Sequence, residues 1–187
     1  MKRRFKTRFK TLTQLFAITL FGLMCFAQQP EKVATREVNV HIVAAHADGT
    51  VFYDESIHNL RTTGGADWQA AAMAATSAQP AASNYIALTN DATTPAAGDC
   101  PAGSSTCTLT NEIVTNGLSR AQGTYAHSSG TSSYTLTHTF TATGTQSAQK
   151  AGIFNAASSG TMVFEASFTQ VSLGSTDTVT VTWTVSI

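Results

Sequence analysis

The chain has 187 residues, 42% hydrophobic and only 12% charged, with 11 Lys and Arg against 11 Asp and Glu. Six of the basic residues (Lys2, Arg3, Arg4, Lys6, Arg8, Lys10) fall in the first ten positions, so the part from Gln28 onward holds five basic residues against all 11 acids, a net −6. An acidic domain without clustered Lys and Arg is a poor partner for nucleic acid or an anionic membrane surface.

The basic opening runs into an apolar stretch, Leu15 to Phe26, broken only by Thr19 and Gly22, and then into Ala27-Gln28-Gln29-Pro30. A basic n-region, a short apolar h-region and a small residue before the cut describe a secretory signal peptide. Residues 1–27 are read as that peptide, cleaved between Ala27 and Gln28, with 28–36 a flexible arm and 37–187 a single β-sandwich domain. A membrane anchor is the rival, but the run falls short of the roughly 20 residues a spanning helix needs. Lipid modification at Cys25 is a second rival, against which stand the bulky Leu23 and Met24. Membrane contact is then confined to the transient signal peptide, and the destination is periplasmic, cell-surface or extracellular.

Val38, Val40 and Ile42 alternate with Asn39 and His41, predicting a first strand; Ala47-Asp48-Gly49 turns it into a hairpin partner over Val51–Ile57. Trp68, Ala71, Ala72 and Ala75 recur at helical spacing and predict one short helix over Ala66–Ala78, with Thr63 as N-cap and Pro80 as terminator. Asn84–Thr89 reads as a strand, followed by a Pro/Ala/Asp loop. Leu109, Ile113 and Val114 fit either a helical turn or a strand, and Leu118–His127 reads as one strand. Tyr134, Leu136, His138 and Phe140 share one parity while Thr135, Thr137, Thr139 and Thr141 share the other. Lys150–Asn155 and Met162–Thr169 follow. Last comes Asp177–Ile187, whose Val179, Val181, Trp183 and Val185 alternate with Thr178, Thr180, Thr182 and Thr184. Such alternation packs one face of a sheet and leaves the other to water. Many short strands with Ser/Gly turns indicate a mainly β fold, an antiparallel β-sandwich of Ig-like or jelly-roll-like kind, with one short α-helix after an N-terminal hairpin.

Cys100 and Cys107 bracket Pro-Ala-Gly-Ser-Ser-Thr. In an exported chain a close pair reads as a disulfide. Closing so short a loop is worth about 2.5 kcal/mol in the chain-entropy account. Two cysteines without a neighbouring His are too few for zinc.

No catalytic residue, cofactor site or metal site emerges. Gly117-Leu118-Ser119-Arg120-Ala121 misses the fifth position of the nucleophile elbow. His41, His46, His58, His127 and His138 are scattered, and His138 reads as a buried core histidine. Asp91 and Asp99 lack the spacing of a calcium loop and read as turn-capping acids. Glu112 and Arg120 can pair across Asn116-Gly117, an exposed pair of that kind being worth under about 1 kcal/mol.

Five segments occur in order: Asn59-Leu60-Arg61-Thr62-Thr63-Gly64-Gly65-Ala66-Asp67-Trp68, Asn84–Asp99, Leu109–Arg120, Ala151–Met162, and the closing Val/Thr strand. Together, over about residues 55–187, they resemble small β-rich proteins encoded in tailed-phage and prophage virion gene clusters, often described as tail-fibre-like. The resemblance lies in spacing and turn chemistry and brings no catalytic motif. The signal peptide and the cysteine pair depart from it, since proteins assembled in the cytoplasm need neither. The resulting expectation is an exported, non-enzymatic structural or interaction module with protein partners or self-association. A carbohydrate- or receptor-binding adhesin is the alternative, requiring Tyr53, Trp68 or Tyr125 around a shallow cleft. A secreted hydrolase is a third reading, requiring a pocket that joins Ser, His and Asp.

Overall fold

The computed structural model describes residues 38–76 and 78–186. The expected signal peptide, its expected Ala27–Gln28 cleavage site and the expected arm over 28–36 lie outside these residues. Ten strands and one helix follow in the order β1 (Val38–Ala45), β2 (Val51–His58), β3 (Leu60–Arg61), α1 (Thr63–Ala74), β4 (Tyr85–Thr89), β5 (Ala121–Gln122), β6 (Thr124–His127), β7 (Ser133–Thr141), β8 (Gln146–Phe154), β9 (Met162–Leu173) and β10 (Thr178–Ser186). They form two five-stranded antiparallel sheets, β2-β1-β10-β7-β6 and β3-β9-β8-β4-β5, packed as a sandwich. The N-terminal hairpin and the β-sandwich class are as the alternation predicts.

In the first sheet, β10 lies centrally between β1 and β7. Trp183 is opposite Val40 on one side and Leu136 on the other, and Val181 is opposite Ile42 and His138. Val179, Val181, Trp183 and Val185 are buried, while the alternating threonines are half-exposed. Each buried side chain of this kind contributes about 1.5–3 kcal/mol of transfer free energy. The inward residues meet Ile86, Leu88, Ala151, Ile153, Phe164 and Phe168 from the second sheet in one continuous core.

The stretch Leu118–His127 is two strands instead of one. β5 pairs with β4 in the second sheet and β6 pairs with β7 in the first. Gly123 carries the chain across: its N–H donates to Asn84 O at 2.8 Å, and a Cβ there would lie 2.8 Å from Leu136 Cδ1. Only glycine passes so close beneath a core leucine without displacing it.

The helix starts earlier and ends sooner than its apolar spacing predicts, covering Thr63–Ala74 with Thr62 as N-cap. Thr62 Oγ1 accepts from Gly65 N at 2.9 Å and donates to Met162 O. Gly64 and Gly65 occupy the first turn because α1 lies directly on β9. A Cβ at Gly65 would sit 2.1 Å from Val163 O, and one at Gly64 2.8 Å from Cys100 Sγ. Proximity to a strand thus outweighs glycine's cost of about 1 kcal/mol in a helix. Ala75 adopts extended geometry and closes the helix through its N–H to Ala71 O at 3.0 Å, before Pro80 is reached. Trp68, Ala71 and Ala75 are half-buried, but Ala72 is exposed.

Residues 90–120, between β4 and β5, fold back over the outer face of the second sheet. Leu109, Cys100 and Cys107 cover Ala87, Phe154 and Met162, forming a smaller apolar cluster beyond the main core. Both faces of β8 over Lys150–Phe154 and of β9 over Met162–Ala166 are therefore buried, with continuous burial runs there.

Candidate functional site

The two outer faces of the sandwich differ in chemistry. On the second sheet, the covering segment is fastened by polar groups buried with it. Cys100 and Cys107 form a disulfide with Cα atoms 5.4 Å apart. Thr89, buried at the end of β4, donates to the carbonyls of Thr110 (2.5 Å) and Asn111 (3.0 Å). Lys150 on β8 directs Nζ to Asp91 Oδ2 at 2.8 Å and to Thr93 Oγ1 at 3.0 Å. Lys150, together with the Thr93 hydroxyl, which donates to the same Asp91 oxygen, holds the Asp91 carboxyl below its ordinary range.

Glu165 on β9, 1% exposed, adjoins the exposed Asp99 next to Cys100. The single N–H of Ala96 donates to both carboxyls, to Asp99 Oδ2 at 3.0 Å and to Glu165 Oε1 at 3.1 Å. Burial first, and the adjoining Asp99 second, push Glu165 up to about 7. A cavity of about 90 Å³ lies here, lined by Thr93, Asp99, Lys150 and Glu165 among others.

Arg120 closes the segment. Its Nε and Nη2 donate to the two oxygens of Glu112 at 2.8 and 2.6 Å, and Nη1 donates to Ala156 O at 3.1 Å and Ser159 O at 2.6 Å. The guanidinium carbon lies 3.6 Å from the Phe154 ring centroid. With side-chain exposures of 4% and 14%, this pair is largely withdrawn from solvent, in contrast to the solvated pair its spacing suggests. Above it opens a cleft of about 440 Å³ lined by Leu109, Val114, Ser119 and Ser158 among others. The cleft contains hydroxyls and one neutralised ion pair, and no His lines it.

Among the described residues, nothing covers the outer face of the first sheet. Thr178, Thr180, Thr182, Thr184 and Ser186 on β10 stand directly opposite Thr141, Thr139, Thr137, Thr135 and Ser133 on β7. Thr137 and Thr182 hydroxyls are 3.2 Å apart, and those of Thr139 and Thr180 are 2.8 Å apart. Strand geometry spaces these side chains about 4.8 Å across and about 6.8 Å along the sheet. Every member of the ladder is half or fully exposed. At its β1–β2 side, His41 Nε2 bonds Asp54 Oδ1 at 2.7 Å, and Ser56 lies opposite His41 in register. Among the described residues, no hydrogen bond joins a Ser hydroxyl to a His.

Tyr53, Trp68 and Tyr125 do not converge on one cleft. Tyr53 is on β2 and Tyr125 on β6, the two opposite edges of the first sheet. Tyr53 OH donates to Thr169 O at 2.6 Å and also bonds Glu55; burial and the Glu55 carboxylate raise its pKa. Trp68 packs from α1 against the core and donates through Nε1 to Ala81 O at 2.9 Å. Tyr125 is 61% exposed, its ring 5.5 Å from that of Tyr134. His138, expected in the core, sits half-buried at the β7 edge, with Nδ1 3.0 Å from Gln122 O and its ring edge-on to Phe140. Lys150 and Glu165 escaped the sequence reading. Their signal was present, each being a lone charge inside an otherwise neutral strand.

Fold and faces define a disulfide-bearing antiparallel β-sandwich with one roofed outer face and one open hydroxyl face. Comparison with protein-family models, with curated proteins and with solved structures finds no match.

Proposed function

We propose that this protein is an exported, non-enzymatic structural or interaction module that meets its partner with the open Thr/Ser face of the first sheet. The observation carrying this reading is the contrast between the faces: residues 90–120 cover the outer side of the second sheet, while among the described residues the ladder on β7 and β10 is left uncovered. A regular field of methyls and hydroxyls without charge suits close packing against a large, ordered surface, whereas concave sites suit small molecules. The disulfide is compatible with export, and the resemblance of residues 55–187 to tailed-phage and prophage virion proteins supports an assembly role.

The test combines location and binding. Intact-mass measurement of protein recovered outside the cytoplasm is expected to show a chain beginning at Gln28. Binding of that protein to intact cells and to isolated envelopes of the producing organism is then compared with a Thr139→Lys/Thr180→Lys double variant. Loss of binding with an unchanged melting temperature supports the hydroxyl face. Equal binding by both, or turnover of an ester, peptide or glycoside substrate, overturns the reading.

A further inference from the structure

The first sheet ends at β6, whose four residues, Thr124–His127, are all exposed and include neither a charged residue nor proline. Such an edge presents unpaired N–H and C=O groups and pairs with another strand unless it is blocked. The other edges are blocked. β2 carries Asp54 and Glu55 and is tied across the sandwich to β9, where Thr169 N donates to Glu55 Oε2 at 2.9 Å. β3 and β5 are two residues long, the first running into α1 and the second into β6.

Charge singles out the same flank. The described residues carry Arg61, Arg120 and Lys150 against nine Asp and Glu, a net −6, so two copies repel over most of their surface. Residues 121–149 contain no Asp, Glu, Lys or Arg. Within this stretch Tyr125, opposite Leu136 in register and therefore turned to the core side of the sheet, remains 61% exposed. A large exposed aromatic on an uncharged strand edge is what an interface supplies when a second chain continues the sheet.

We propose that β6 pairs antiparallel with β6 of a second copy about a two-fold axis, joining two first sheets into one ten-stranded sheet with Tyr125 at the seam. Antiparallel pairing of a strand with itself satisfies a closed two-fold interface. The proposal rests on the reading as an interaction module but uses a different surface. Both hydroxyl faces lie on the same side of the joined sheet and remain free.

Sedimentation velocity of the chain from Gln28 onward, between about 5 and about 500 μM, tests this over the range of Kd expected for a short edge interface. A reversible dimer is expected, and Tyr125→Glu, which sets two carboxylates near the axis, is expected to weaken it at least about tenfold at an unchanged melting temperature. Hydrogen exchange of the unmodified protein gives an independent reading, with amides of Thr124–His127 gaining protection as concentration rises. A strict monomer throughout overturns the proposal, as does a dimer unaffected by a folded Tyr125→Glu variant. Protection of β6 that is independent of concentration and vanishes when residues 28–36 are deleted also overturns it, assigning the edge to the chain's own arm. The Thr139→Lys/Thr180→Lys variant is expected to dimerise normally, so failure of the hydroxyl-face reading and failure of this one are told apart.

Discussion

The two sheets share a core but resolve their outer faces in opposite ways. In β7 and β10 a polar residue follows every apolar one, and two hydroxyl pairs of the outer row, Thr137 with Thr182 and Thr139 with Thr180, bond to each other. In Ala151–Phe154 of β8 and Met162–Phe164 of β9 apolar residues and Gly152 occupy both parities, with Lys150 and Glu165 buried beside them, and the chain must supply a third layer. That layer is held by Arg120 paired with Glu112, by Lys150 paired with Asp91, and by the Ala96 N–H shared between the buried Glu165 and the exposed Asp99. A bare face costs little and leaves a surface to use. A roofed face ties its stability to a few ionic contacts.

The largest effect that would break this comparison is expected at the roof. Arg120→Ala leaves the Glu112 carboxylate partly buried and opens the contact with Phe154, and should destabilise by about 3–5 kcal/mol in urea unfolding. A loss under about 1 kcal/mol would mean the pair is as weak as an exposed one. Next comes the disulfide. Replacing Cys100 and Cys107 by Ala should cost about 2.5 kcal/mol, with faster hydrogen exchange confined to the covering segment and no change in β7 or β10.

A pH series sharpens the contrast further. Glu165 is raised in the folded protein from 4.5 to about 7, so the folded state binds the extra proton. Its stabilising contribution is full below about 4.5 and is lost as pH rises through about 7. The opposite sign holds for Asp91, lowered by Lys150 and Thr93, and for Asp177, lowered by His46 and the Gly174 N–H. Their contributions persist above 3.8 and disappear only as pH falls through their lower folded values. Urea midpoints between pH 4.5 and 7 should therefore decline in the unmodified protein, and Glu165→Gln should remove that part of the slope. A slope unchanged in the variant would assign it elsewhere. The smallest effect is expected on the open face: Thr180→Ala should change stability by no more than about 0.5 kcal/mol. A loss of several times that would show the hydroxyl ladder to be structural.

Legibility followed periodicity. The first sheet could be read because Val179 to Val185 and Leu136 to Phe140 alternate at the strand period, and a half-buried strand has no other pattern to show. The hairpin, the helix and the Cys100–Cys107 bridge were legible from turn residues, apolar spacing and close cysteines. Gly123 was not: a crossing between sheets leaves local alternation intact, and only the neighbouring Leu136 and Ile86 reveal why the residue has no side chain. The same holds for Gly65, whose role depends on Val163, almost a hundred positions away. Of the aromatics named as ligand contacts, Tyr53 and Trp68 are engaged in packing and internal hydrogen bonds, and Tyr125 alone stands exposed. Sequence spacing carries no information on whether a Tyr at a sheet edge is covered.

By itself, the sequence determined which faces of the strands are apolar, hence a mainly β sandwich, because side-chain parity is a local property of an extended backbone. It also determined that a hydroxyl ladder would exist. Tertiary structure decided where that ladder stands, which strands form the sheet edges among the described residues, that Lys150 and Glu165 are buried, and that Glu112 and Arg120 pair partly buried beside Phe154. Those outcomes depend on contacts between residues tens of positions apart, where register and burial, and not residue type, set the energy of a charge.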